Sequence, residues 1–198
     1  MSEPAGAEPE AWTPSITATW FIALPVAVGP WFERLPPPAD KTSIFHPDDL
    51  HLTIAFLGRV GEERALAGWE RFRWPLGPTT VSLGDVVGLG NPRRPSALSA
   101  LLVRGREEVE DAMGESRVGA IEAAGAEPDE RPPKAHVTIA RPSRSAGSRE
   151  RARAVEWAKT IDLRGAEVLL DRVALYASGS GPEGRRYRQV RTVTLSLV

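Results

Sequence analysis

The sequence predicts an α+β protein made of two similar lobes that share a central cleft. Three observations lead there. The pattern His51-Leu52-Thr53-Ile54 returns as His136-Val137-Thr138-Ile139, each copy followed by alanine, and together they use two of only three histidines. Both copies have strand character, since residues i and i+2 of a strand share one face and i+1 and i+3 share the other. A strand–helix–strand order occurs in each half, and the copies start at 51 and 136, about half of the ordered chain apart. Each lobe is therefore expected to contribute one such strand to the cleft.

The elements follow in order. Ser15 to Ala23 is a predicted strand, rich in β-branched and aromatic residues. A short helix is expected around Val28 to Leu35, ended by Pro36-Pro37-Pro38. Leu50 to Leu57 is the first motif strand, closed by Gly58. Glu62 to Phe72 reads as a helix, with Leu66, Trp69 and Phe72 at helical spacing. Thr79 to Val87 and Ala97 to Arg104 are strands separated by the turn-rich Gly88 to Pro95. Glu107 to Ala124 is the longest helix, weakened by Gly114 and Gly119. A loop from Gly125 to Pro133 leads to the second motif strand, Lys134 to Ala140. Ser148 to Thr160 is a helix, and strands Glu167 to Ala177 and Arg188 to Leu197 close the chain around a flexible turn at Ser178 to Gly184.

Composition narrows the function classes. The 198 residues are 41% hydrophobic and 26% charged, ordinary for a soluble globular protein with one substantial core. No window approaches the ~18 apolar residues of a membrane span. Residues 1–14 are rich in Glu, Ala and Pro and do not read as a secretory signal; they are expected to be a disordered lead-in to one bilobal domain over 15–198. Without an export signal the cytoplasm is the default. The absence of cysteine excludes disulfides and thiol nucleophiles. A formal net charge of −1 argues against coating long nucleic acid by charge alone, but leaves room for a local positive pocket that grips an RNA end.

On one strand face each motif presents an imidazole beside a hydroxyl, while Leu52, Ile54, Val137 and Ile139 go to the core face. Imidazole exchanges protons near neutral pH, and a threonine hydroxyl donates to anionic oxygen. Two such pairs across a cleft supply an acid, a base and two oxygen-binding donors, a set suited to displacement at phosphorus without a metal. A single strand histidine is more often structural, and the repetition with the same hydroxyl reverses that judgement. A zinc site would need three or four ligands, and only two histidines are well placed.

These residues resemble the 2H phosphoesterases, and most closely the bacterial RNA 2′,3′-cyclic phosphodiesterases, also called 2′-5′ RNA ligases. The matching stretches are Trp20-Phe21-Ile22-Ala23-Leu24-Pro25, His51 to Gly58, His136 to Arg141, and the late segment from Leu175-Tyr176-Ala177-Ser178 to Gly184-Arg185-Arg186-Tyr187. The resemblance implies a bilobal 2H phosphoesterase-like fold with mainly antiparallel sheets around the cleft and flanking helices. It implies cofactor-free hydrolysis of a 2′,3′-cyclic phosphate to a 2′-phosphomonoester, with His51 as proton donor and His136 as proton acceptor. Thr53 and Thr138 would bind non-bridging phosphate oxygens, and RNA 3′ ends or small cyclic nucleotides would be the partners of a protein expected to be a monomer. Arg141 follows the second motif as the family's arginine does, and the resemblance implies that it would bind the substrate phosphate as well. Strict alternation, however, puts it on the face opposite His136 unless the strand ends or bulges first, and Pro142 offers such an ending. The chain departs from the family pattern at Lys134-Ala135, where a proline commonly precedes the histidine, and in the loosely matching Gly90 to Pro95 block.

Other residues have plainer readings. His46 is expected on the surface, Trp69 and Trp74 in the core or a lid, and Trp20 or Phe21 could line the cleft. The arginines at 149, 151 and 153 read as a solvated helix face, whereas Arg185, Arg186 and Arg188 could grip an RNA backbone. Competing functions are a phosphodiesterase for 2′-5′ oligoadenylate or ADP-ribose 1″,2″-cyclic phosphate, and a nucleotide-binding module without turnover. Reversible 2′-5′ RNA ligation without ATP is also chemically allowed.

Overall fold

The computed structural model describes residues 13–14 and 17–196. In chain order the elements are β1 (Thr13–Pro14), β2 (Trp20–Pro25), α1 (Pro30–Glu33), β3 (Thr42–Ile44), β4 (His51–Gly58), α2 (Glu62–Arg71), β5 (Thr79–Asn91) and β6 (Arg94–Leu102). They continue with α3 (Arg106–Ala124), β7 (His136–Pro142), α4 (Ser148–Lys159), β8 (Glu167–Leu170), β9 (Arg172–Ser180) and β10 (Tyr187–Thr194). Every strand pairing among them is antiparallel.

The pairings run β10-β9-β2-β4-β7-β6-β5-β8, an order that reads alike from either end about the β4–β7 contact. One lobe is β10, β9, β2 and β4, covered by α2 and α3. The other is β7, β6, β5 and β8, with α4 packed on β5, β6 and β7. The motif strands meet at a single register pair, Leu52 opposite Val137, so the two lobes touch through the core-facing residues of the motifs. Ile22, Leu24, Leu52, Leu57, Leu98, Ile139 and Leu175 are nearly inaccessible in one continuous core.

The lobes do not divide the chain at its midpoint. Helix α3 follows β6 of the second lobe in sequence yet packs against α2 and β4 of the first. Gly68 lets α2 approach: a Cβ there would lie 2.8 Å from the Ala120 carbonyl oxygen. Arg64 of α2 then donates to the carbonyls of Ala124, at 2.8 Å, and Gly125, covering orphan groups at the end of α3.

The expected boundaries shift in instructive places. The strand expected over Ser15 to Ala23 begins at Trp20, as β2; Ser15 and Ile16 lie outside the described residues, and of the lead-in expected over 1–14 residues 1–12 do too, whereas Thr13 and Pro14 pair with Ser180 and Gly179 as β1. Gly88 to Asn91 and Arg94-Pro95, expected as a loop, extend the β5–β6 hairpin up to a two-residue turn at Pro92-Arg93, with Gly90 at φ +97° where the register shifts. The single strand expected over Glu167 to Ala177 is two strands: β8 pairs with β5, and after Asp171 the chain crosses to the other lobe as β9. Ser178 to Ser180, expected as turn, belong to β9. Arg151 is buried, contrary to the expected solvated face, and donates to the carbonyls of Pro95, Ser143 and Ala146. Among the described residues no helix is long and apolar enough to cross a membrane.

Candidate active site

The motif strands carry the same exposure pattern over seven residues, half-buried at His and Thr and buried at the apolar positions between them. Both also carry a bulge at the same motif position. Along β7, Ser99 faces Thr138 but Leu98 faces Ala140, so Ile139 is the extra residue. Along β4, Ala23 faces Thr53 but Ile22 faces Ala55, so Ile54 is extra. The extra residue reverses alternation. Ala140 therefore joins Leu98 on the core face, and Arg141 comes to the side of His136 and Thr138. Phe56 occupies the matching position after Thr53, and it is 55% exposed.

The antiparallel Leu52–Val137 register sets the end of β4 that carries His51 beside the end of β7 that carries Thr138 and Arg141. Thr53 and His136 lie together on the other side of that pair. All five residues named from the sequence thus gather at the junction of the lobes. Arg141 and His136 are close enough to His51 to disfavour its charged form.

Each imidazole is oriented in the same way. His51 Nδ1–H donates to the Asp49 carbonyl at 2.7 Å, and His136 Nδ1–H donates to the Lys134 carbonyl at 2.7 Å. A carbonyl only accepts, so both rings carry their proton on Nδ1 and leave Nε2 as the acceptor when neutral. The environments differ. His51 stacks on Phe21 with centroids 4.7 Å apart and meets the edge of Tyr187 at 5.1 Å and the tilted Tyr176 ring at 5.3 Å. Burial among these rings pushes His51 down to about 4, with Arg141 and His136 adding to the shift and the Asp49 carbonyl opposing it. His136 is also lowered, first by burial and then by the Lys134 ammonium, against its carbonyl hydrogen bond.

The threonines differ too. Thr138 Oγ1 is 3.0 Å from Ser99 Oγ, a buried hydroxyl. In the equivalent place Thr53 faces Ala23, and its hydroxyl has no partner among the described residues. Residues that the motif pattern did not reveal complete the surroundings. The Asp49 carboxylate is fully buried, accepts from the backbone N–H of Arg186 at 2.7 Å and of Tyr187 at 3.2 Å, and so seats Tyr187 against His51. Burial raises its carboxyl above the ordinary range while those two hydrogen bonds oppose the shift. Asp49, Ser99 and Tyr187 have no repeated sequence signal.

Phe21 lines the cleft face as one of two candidates, whereas Trp20 is in the main core. Trp69 and Trp74 pack at the core margin. His46 is half-buried; its Nδ1 accepts from the Asp48 N–H at 3.2 Å, and its Nε2 lies 3.3 Å from Glu183. Among the described residues, no three His, Asp or Glu side chains cluster in a metal-ligating group.

Two antiparallel lobes joined at paired His-x-Thr strands define the 2H phosphoesterase-like fold, and this chain has it. The solved structures it is similar to include LigT of E. coli in complex with NADP+, at 22% identity and a TM-score of 0.63, covering 96% of this chain and 99% of that one. A protein described as a phosphoesterase matches at 23% identity with a TM-score of 0.65, over 96% and 99% of the two chains. Usb1 of Kluyveromyces marxianus matches at 14% identity with a TM-score of 0.53, over 92% and 99%. No protein-family model matches the sequence, and no curated protein matches it.

Proposed function

We propose that the protein is a 2H phosphoesterase that hydrolyses RNA or nucleotide 2′,3′-cyclic phosphates to 2′-phosphomonoesters. The observation that carries this reading is the pair of imidazoles on adjoining strands, each with Nδ1 fixed by a carbonyl two residues earlier and Nε2 left to exchange a proton. In this reading His136 Nε2 takes a proton from the attacking water, and the water oxygen bonds to phosphorus. The bond from phosphorus to the 3′ oxygen breaks, and His51 gives that oxygen its proton. Thr53, Thr138 and Arg141 hold the non-bridging oxygens as charge builds on them. With the 5′ hydroxyl of a second RNA in place of water, the same steps would bond that 5′ oxygen to phosphorus, release the 3′ oxygen as a hydroxyl and leave a 2′-5′ linkage.

His51 is neutral in the free protein at neutral pH, because its ordinary value is lowered to about 4. The donor must therefore gain its proton when the phosphate anion arrives, since a nearby negative charge favours imidazolium. The aromatic rings packed against His51, which disfavour its charged form, also favour a second reading in which the roles are exchanged and His136 is the acid.

The test is to incubate EDTA-treated protein with the four 2′,3′-cyclic nucleotides, an RNA ending in a cyclic phosphate, 2′-5′ oligoadenylate and ADP-ribose 1″,2″-cyclic phosphate. Cyclic 2′,3′ substrates are expected to turn over to 2′-phosphates by phosphorus NMR, and His51→Ala and His136→Ala each to lose about 10²–10⁴ in rate. Retention of most activity in either folded variant would end the assignment, and binding without conversion would make the protein a nucleotide-binding module. An aryl phosphodiester with an activated leaving group needs no acid. It should restore turnover to the donor variant alone, which decides between His51 and His136.

A further inference from the structure

Two guanidinium groups cover the buried ring of Phe45: Arg186 at 4.9 Å from its centroid and Arg141 at 5.3 Å. Among the described residues neither has a carboxylate partner, unlike Arg185, which lies 3.7 Å from Asp48. Two like charges sharing one aromatic ring repel each other, and an aromatic face offsets only part of that. Arg186 is held in place regardless. Its backbone N–H donates to the buried Asp49 carboxylate, and its Nη2 donates to Ser43 Oγ at 3.1 Å. A guanidinium fork fixed in this way, with donors left over and no counter-charge, matches a phosphate group.

The position relative to His51 identifies which phosphate. The Phe45 ring meets Tyr187 at 6.3 Å, and Tyr187 in turn meets His51 at 5.1 Å, so the cationic pair lies on the His51 side of the cleft. In a nucleoside 2′,3′-cyclic phosphate the 3′ oxygen is on the carbon next to C4′, which carries the 5′ substituent. A ribose whose 3′ oxygen faces His51 therefore sets C4′ and its 5′ substituent on the His51 side of the cleft, the side of Phe45, rather than on that of His136. From this we infer that Arg186, held over Phe45 beside the Arg141 that faces the reacting phosphate, forms a second anion subsite for the phosphoryl group on the 5′ oxygen of the terminal nucleotide. The inference rests on the proposed reaction with His51 as donor. It narrows the substrate class to 5′-phosphorylated nucleotides and RNA 3′ ends, over nucleosides with a free 5′ hydroxyl.

The experiment compares kcat/KM for three substrates: a nucleoside 2′,3′-cyclic phosphate with a free 5′ hydroxyl, the same with a 5′-phosphate, and a dinucleotide ending in the cyclic phosphate. The dinucleotide is expected to exceed the 5′-hydroxyl substrate by about tenfold or more. Arg186→Gln should erase that advantage and leave the 5′-hydroxyl substrate unchanged. A gain for the dinucleotide alone assigns the subsite to an internucleotide diester; a gain for both phosphorylated substrates assigns it to any 5′-phosphoryl group. Equal kcat/KM across the three in the unmodified protein, or an advantage that survives Arg186→Gln, overturns the proposal. Binding of adenosine 2′-monophosphate and adenosine 2′,5′-bisphosphate, measured by calorimetry, reads the subsite without turnover. Tighter binding of the bisphosphate that Arg186→Gln abolishes supports the subsite even if the proposed reaction fails, and equal binding overturns it.

Discussion

At the scale of single residues, the two motifs are alike in backbone and unlike in what surrounds them. Strand parity and repetition made His51, Thr53, His136 and Thr138 legible in the sequence, because period-two geometry is local. The side chains of Ser99, Tyr176 and Tyr187 that surround them were not legible, because each comes from a strand distant in sequence. Ser99 is the sharpest example. Its hydroxyl donates to Thr138 Oγ1 whenever Thr138 donates onward to a phosphate oxygen, while Thr53 faces the methyl group of Ala23. Ser99→Ala is expected to slow turnover about tenfold, the worth of one modest hydrogen bond in the transition state, with little change in stability. The two phosphorothioate diastereomers of a 2′,3′-cyclic substrate separate this from general damage. Sulfur accepts hydrogen bonds poorly, so the loss should fall on the isomer that presents oxygen to Thr138. Equal losses on both isomers would refute the role.

At the scale of elements, the motif bulges and the helix pair α2–α3 decide the geometry. Alternation alone placed Arg141 on the wrong face of its strand. The extra residue Ile139 reverses the parity, and it is visible only against the register of β6. Helix α2 was read nearly to its ends from spacing, but its close contact with α3 was not, since a glycine in a helix carries no sign of what approaches it. At Gly68 an added Cβ would meet the backbone oxygen of Ala120 at 2.8 Å and the Ala124 Cβ at 3.1 Å. Helix propensity alone predicts that Gly68→Ala stabilises by up to ~1 kcal/mol. The contact with backbone, which cannot rotate away, should outweigh that, giving a net loss of about 1–2 kcal/mol. Urea denaturation measures the sign, and a stabilised variant would mean that the helices are not packed at this glycine.

At the scale of the whole molecule, burying an imidazole between the lobes links folding to pH. The unfolded chain protonates His51 near its ordinary value of 6.5, whereas the folded protein resists until about 4. Stability is therefore complete above 6.5 and declines as pH falls toward 4, by up to about 3 kcal/mol from this residue. His136 is lowered in the same direction. Asp49, whose carboxyl is raised above 3.8, acts oppositely by taking up its proton earlier in the folded state. Subtracting the curve of His51→Gln from that of the unmodified protein removes the Asp49 contribution. The difference should fall between pH 6.5 and 4, and a flat difference would contradict the burial of the ring. By itself the sequence determined the class of fold, most strands and helices, and the four motif side chains, since all follow from local periodicity and a repeated pattern. Only the tertiary structure decided that α3 crosses to the first lobe, that the strand at Asp171 is two, which face Arg141 takes, and how Asp49, Ser99 and Phe45 surround the cleft. Those outcomes depend on register and packing between segments far apart in the chain, and no local spacing encodes them.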